Sequence, residues 1–172
     1  MHELTPLENE SIARGIPILG KEKGEWLFEF ILQHKPAKIL ELGTANGYSG
    51  IILGSAGGEL TTIDIDTHLA TEAQQHFKQF GINATIILGD GIEKIKHFEK
   101  ETFDLVFIDF AKKKYITILE DAIRITKKNG YIIADNITME GCCDYKEKML
   151  HDPRVHTELI LIKDGLSCSK KL

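Results

Sequence analysis

Apolar positions along the chain fall into short β-branched runs separated by stretches in which they recur every three or four residues. That rhythm predicts strands alternating with helices around a mostly parallel sheet. Five runs, Lys38 to Leu42, Leu60 to Ile65, Ala84 to Leu88, Phe103 to Ile108 and Tyr131 to Ala134, are too apolar to leave one face in water and predict buried parallel strands. Between them Leu69, Ala73, Phe77 and Phe80 share one helical stripe, as do Ile116, Leu119 and Ile123, and Gly81 and Gly130 stand where helix stops are expected. Upstream, Trp26, Leu27, Phe30 and Ile31 predict a packing helix from Lys21 to Gln33, ending before Pro36. Glu8 to Leu19, which contains Gly15 and Pro17, predicts a short helix followed by an extended piece, a flap near a site. Downstream come a helix from Tyr145 to Leu150, a turn at Asp152-Pro153, a strand through Thr157 to Ile162 and a last strand from Leu166 to Ser169. The Asp164-Gly165 turn joins these two strands as an antiparallel hairpin.

The 172 residues suit one domain, with residues 1–37 as an N-terminal helical segment and 38–172 as the core. Hydrophobic residues at 42% and charged residues at 27% argue against a disordered chain, and no run reaches the ~18 apolar residues that a membrane span needs. Met1-His2-Glu3-Leu4-Thr5 lacks the basic and apolar pattern of a secretory leader, so a cytoplasmic location is expected. The 26 acidic and 21 basic residues give a net charge of −5, which argues against nucleic acid and leaves a small molecule as the expected partner. Cys142, Cys143 and Cys168 form neither a disulfide framework nor a zinc spacing, and His34, His68, His76, His97, His151 and His156 show no ligand-like pairing.

Chemistry enters with Glu41-Leu42-Gly43-Thr44-Ala45-Asn46-Gly47-Tyr48-Ser49, which follows the first strand and opens a helix. Glycines there let the backbone turn sharply and approach a ligand. A dinucleotide fingerprint would place glycines at 43, 45 and 48, but Ala45 and Tyr48 hold two of those places, which favours a nucleoside without a pyrophosphate. Glu41 would then accept a hydrogen bond from a cationic or amino group. Asp64-Ile65-Asp66 ends the second strand, where a carboxylate can take both hydroxyls of a ribose, and Gly89-Asp90-Gly91 offers an adenine-side contact. Each acidic residue taken alone reads as a helix cap or a turn. Asp109, Asp135 and Asn136 fall at the ends of the fourth and fifth strands and all offer oxygen, the donor that a hard cation such as Mg²⁺ requires. Such a set leaves positions for water and for a chelating acceptor with two vicinal hydroxyls. Lys112, three residues after Asp109, could reach an acceptor hydroxyl there, although the run Lys112-Lys113-Lys114 also reads as a solvated face.

Taken in order, the Glu-x-Gly-Thr-x-x-Gly-Tyr-Ser stretch, Asp64-Ile65-Asp66, Gly89-Asp90-Gly91, Phe107-Ile108-Asp109, Ala134-Asp135-Asn136 and Asp164-Gly165-Leu166 resemble the cation-dependent O-methyltransferases. That family includes the catechol and caffeoyl-CoA O-methyltransferases, and the resemblance runs from Lys38 onward. It implies a Rossmann-like class I methyltransferase: an α/β, doubly wound, mostly parallel seven-stranded sheet with an antiparallel last strand pair. It implies S-adenosylmethionine at Glu41, Gly43, Thr44, Gly47, Tyr48, Ser49, Asp64, Ile65, Asp90, Gly91 and Asp109, and a divalent cation, Mg²⁺ by preference, at Asp109, Asp135 and Asn136. Lys112 takes the place of the general base, and a hydroxyl of a small vicinal-diol or catechol-like acceptor would attack the sulfonium methyl in line. The resemblance also points to a homodimer. Phe110-Ala111, where an Asp or Trp commonly precedes the lysine, implies an acceptor pocket of different polarity and shape, and a short segment after Asn136 and a reduced region before Lys38 imply a more open acceptor side. Such a site would suit a modified nucleoside in RNA as an alternative acceptor. A protein that binds S-adenosylmethionine without catalysis is the other alternative, and the presence of Asp109, Lys112, Asp135 and Asn136 weighs against it.

Overall fold

The five apolar runs form β1 (Lys38–Leu42), β2 (Glu59–Asp64), β3 (Ala84–Leu88), β4 (Phe103–Ile108) and β5 (Thr126–Asp135), followed by β6 (Val155–Ile160) and β7 (Leu166–Lys171). These come from a computed structural model that describes residues 2–172; Met1, at the head of the stretch read as lacking a leader, lies outside the described residues. All seven strands share one sheet in the order β3-β2-β1-β4-β5-β7-β6. The first five pair in parallel, while β7 runs antiparallel to both β5 and β6. A five-residue connection, 161–165, turns β6 back on β7 through left-handed backbone at Lys163 and Gly165.

Strand residues alternate between two cores. Leu40, Leu42, Val106, Ile108 and Ile132 pack with α6 (Tyr115–Ile125) and α7 (Cys143–His151). On the opposite face Ile39, Leu105, Phe107 and Ile133 pack with α2 (Lys21–His34), α3 (Tyr48–Gly54) and α4 (Thr67–Phe80). Two further α-helices are α1 (Thr5–Ala13) at the beginning and α5 (Gly91–Ile95) after β3. Helix α4 shows how local signals set an element: the Asp66 side chain accepts from the amides of His68 and Leu69, Ala73 and Phe77 face inward, and Gly81 ends the helix at φ 66°.

Several expectations shift. Gly130 does not stop α6, which ends at Ile125; Gly130 lies inside β5, where a Cβ would stand 2.9 Å from the carbonyl oxygens of Asp104 and Lys127. The buried stripe of α6 runs through Ile118, Leu119, Ala122 and Ile123, with Ile116 half-buried beside it. Ile65 falls outside β2 and is 75% exposed, and β6 starts two residues earlier than Thr157 and stops at Ile160. Helix α1 begins at Thr5, with Pro6 in its first turn where its missing N–H costs nothing, and residues 16–20 after it have no regular structure. Among the described residues, no helix is long and apolar enough to cross a membrane.

Candidate active site

Parallel pairing brings the carboxyl ends of β1 to β5 to one edge, the usual place for a ligand in an open α/β sheet. A cavity of about 370 Å³ lies there. Gly43, Thr44, Tyr48, Ser49, Asp64, Ile65, Asp90, Gly91, Asp109 and Lys112 all line it, ten of the positions singled out from the sequence. Pro17, Ile18 and Leu19, from the extended piece after α1, line it as well. That piece is tied down on one side by Arg14, whose guanidinium forks onto both oxygens of Glu72 at 2.8 Å. On the other side Asn46 Nδ2 donates to Ser11 Oγ at 2.7 Å, and Ser11 in turn donates to the carbonyl of Leu7.

The loop from 43 to 47 reads as a ligand cradle in sequence, and the structure gives each residue a mechanical reason as well. Gly43 has φ 105° and touches the backbone of Asp109: a Cβ would stand 1.9 Å from that carbonyl oxygen. Gly47 does not line the cavity; at φ 92° it packs the loop onto Phe77 and Ala73 of α4. Asp64 accepts from the amides of Ala45 at 2.8 Å and Asp66 at 2.9 Å, so one carboxylate fixes both the glycine loop and the start of α4. Asp90 caps α5 through the amide of Ile92. That hydrogen bond, with Lys114 nearby, holds its carboxyl below the ordinary value.

Glu41 departs from expectation. It is fully buried and does not line the cavity, because as the fourth residue of β1 it points into the layer beneath α3. Its oxygens accept from Ser49 Oγ at 2.5 Å and Thr62 Oγ1 at 2.6 Å. With the proton of Thr62 committed to Glu41, Thr44 donates to Thr62 at 2.6 Å, and a buried chain of hydroxyls holds the loop to the sheet. Burial pushes the Glu41 carboxyl up to about 8, against the pull of the two hydroxyl hydrogen bonds.

Beyond Asp109 lies a second group of polar residues that the cavity does not include. Asp109 Oδ1 accepts from Lys112 Nζ at 2.5 Å. Asp135, 2% exposed at the end of β5, accepts from Lys23 Nζ at 2.5 Å, and Lys23 also reaches Asp164 Oδ1 at 2.6 Å. Asn136, held at φ 56°, donates its amide to the second oxygen of Asp164. Burial and the nearby charge of Asp109 push the Asp135 carboxyl up to about 6, with Lys23 acting against them. For Lys23, burial works against its charge, and the hydrogen bonds to Asp135 and Asp164 outweigh that and lift it above its ordinary value.

Among the described residues no three His, Cys, Asp or Glu groups form a metal cluster. The candidate set is instead two carboxylates and one amide. No side-chain donor among the described residues reaches Oδ2 of Asp109, Oδ2 of Asp135 or Oδ1 of Asn136, so each keeps an oxygen to offer. Those donors fit a hard divalent cation.

Lys23 and Asp164 were not singled out for this site by their chemistry, since Lys21-Glu22-Lys23-Gly24-Glu25 reads as a polar helix start. Spacing carries the signal: Lys23 precedes the buried Leu27 by four residues and Ile31 by eight, which places it on the inward face of α2. Thr62 gave no signal beyond lying in a strand.

A family model described as O-methyltransferase matches residues 10–172. "Catechol O-methyltransferase B" of Danio rerio is 32% identical over 169 residues, which cover 88% of this chain and 64% of that protein. "Catechol O-methyltransferase" of Mus musculus is 28% identical over 138 residues, covering 74% of this chain and 52% of that protein. The chain thus spans between half and two thirds of the length of these relatives. Among solved structures, an O-methyltransferase from Bacillus cereus in complex with SAH superposes with a TM-score of 0.85 at 22% identity, covering 99% of this chain and 90% of that one, which shows a shared fold.

Proposed function

Because this chain belongs to the O-methyltransferase family, we propose that it binds S-adenosylmethionine in the strand-end cavity and transfers the methyl group to a hydroxyl of a small acceptor. The acceptor class is a vicinal diol or catechol, met by a divalent cation, Mg²⁺ by preference, at Asp109, Asp135 and Asn136. One observation carries this reading: the strand-end cavity ends on the Asp109–Lys112 pair, and Asp135 and Asn136 follow Ala134, which pairs with Ile108 at the end of the neighbouring strand.

When bound, the sulfonium nucleoside supplies an electrophilic methyl group, and a hard cation supplies charge that orients two hydroxyls and makes them more acidic. The protein's own groups do the rest. Asp64 and Asp90 present carboxylates at neighbouring strand ends, where they can accept from the hydroxyls and amino group of a nucleoside. Ile18, Leu19 and Ile65 cover apolar surface and exclude water. Lys112, in the turn after β4, takes the acceptor's proton at Nζ; its contact with Asp109 must first open and the ammonium must lose a proton to solvent. Holding acceptor and methyl group in line supplies much of the rate.

Calorimetric titration of S-adenosylhomocysteine, followed by catechol with and without Mg²⁺, tests the reading. Nucleoside binding that needs no ion, and diol binding that does, are expected. A protein that binds no S-adenosylhomocysteine would refute the proposal.

A further inference from the structure

Lys23 stands in the first turn of α2, 3% exposed, and its ammonium bridges two carboxylates that lie 29 residues apart, Asp135 at the end of β5 and Asp164 in the β6–β7 turn. Asp164 spends its other oxygen on the side-chain amide of Asn136. The result is a closed run, Asp135 to Lys23 to Asp164 to Asn136, in which two adjacent residues of the candidate cation set are held from behind by two residues outside it.

We propose that Lys23 and Asp164 are positioning residues that decide which atoms of Asp135 and Asn136 face a divalent cation, an inference that rests on the metal-assisted reading above. A carboxamide ligates a hard cation only through its oxygen, since its nitrogen lone pair is delocalised. By accepting from Nδ2, Asp164 selects the amide orientation and turns Oδ1 of Asn136 away from itself. Lys23 does the same for Asp135, occupying Oδ1 and leaving Oδ2. Asp164 is thereby excluded as a ligand, because Lys23 takes one of its oxygens and Asn136 the other. Outer groups of this kind fix the orientation of ligands and set affinity.

The sign of one measurement separates this role from simple charge balance. Lys23 carries the same charge as the ion, so if it were only a counter-ion its removal would tighten cation binding. If it positions the ligands, removal loosens binding.

The test is Mn²⁺ binding to the full chain, followed by the electron paramagnetic resonance of the free ion, with no cofactor or acceptor present. Lys23→Met is expected to raise the Kd for Mn²⁺ by about 10- to 100-fold. Asp164→Glu, which keeps the charge and displaces the carboxylate by one methylene, is expected to raise it as well, because Nδ2 of Asn136 loses the acceptor that orients the amide, whereas charge balance alone predicts no change. Asp164 is half-exposed, so its variant answers the question even if Lys23→Met fails to fold. Wild-type binding with equal or tighter binding by the folded variants would overturn the positioning role alone. A wild-type chain that binds no Mn²⁺ would overturn the metal-assisted reading and this inference with it.

Discussion

Replacing Gly43 with alanine perturbs the junction on which the site depends, and its cost can be divided into two parts. The first is conformational. At φ 105° the backbone is left-handed, which costs an L-residue roughly 1–2 kcal/mol. The second is steric. The new Cβ would lie 1.9 Å from the Asp109 carbonyl oxygen and 2.7 Å from its carbon, both backbone atoms that cannot swing aside, so the ends of β1 and β4 must separate. Forcing one extra carbon into packed structure costs about 1–3 kcal/mol more. Gly57 supplies the control: its φ is 86°, and a Cβ there would meet nothing within 4 Å. Gly57→Ala should therefore show the conformational part alone, about 1–2 kcal/mol, and Gly43→Ala the sum, about 2–5 kcal/mol. For a chain of this length each kcal/mol moves the melting temperature by about 2–4 °C, so calorimetric melts of the two variants resolve the difference. Gly43→Ala should also weaken S-adenosylhomocysteine binding, whereas Gly57→Ala should not. Equal melting temperatures for the two variants would refute the claim that contact with Asp109 makes glycine necessary at 43.

Two further outcomes follow from the site. Lys112→Met should lower turnover by roughly 10²- to 10⁴-fold, the usual contribution of a positioned base, while calorimetry finds S-adenosylhomocysteine binding unchanged; loss of both together would point to a binding role instead. Glu41→Gln addresses the buried carboxyl, whose value is about 8 in the fold and near 4.5 when unperturbed. Between those pH values the folded chain keeps a proton that the unfolded chain releases, so this group's contribution falls as pH rises from about 4.5 to 8 and is constant above. Glu41→Gln lacks that proton and should melt with a flatter pH profile, gaining on the wild type between pH 5 and pH 8; parallel profiles would refute a protonated Glu41.

Legibility in the sequence followed the source of each signal. The parallel strands were readable because burial on both faces demands unbroken apolar runs, as in Phe103 to Ile108. The first half of β5 was not, because Thr126-Lys127-Lys128-Asn129-Gly130 has the composition of a turn. Thr126 pairs with Phe103 and the ladder resumes only at Leu105 and Tyr131, so residues 127–130 bulge out of the strand, with Asn129 left-handed at φ 63°. In the site, residues that punctuate strand ends, such as Asp64, Asp90 and Asp109, were found through their position in the order of elements. Glu41 was located in sequence but not in depth, since strand parity decides whether a side chain meets the cavity or the layer beneath α3. Spacing from Leu27 and Ile31 puts Lys23 on the inward face of α2, but its partner is 112 residues away and no local pattern names it.

The placement of β7 between β5 and β6 constrains the order in which the chain can assemble. Strands β1 to β5 can pair with one another as each emerges, whereas β6 pairs only with β7, across the five-residue turn, and that hairpin joins the sheet only when β7 closes against β5. That closure spans the thirty residues between Asp135 and Leu166, a long loop to fix before any contact rewards it. Asp164 lies in the turn that closes with it, and so the brace on Asp135 and Asn136 forms only when the hairpin docks on β5. A folding intermediate that stops short of that step would have the strand ends of a nucleoside site without the acceptor side, and should bind S-adenosylhomocysteine before it can bind a cation.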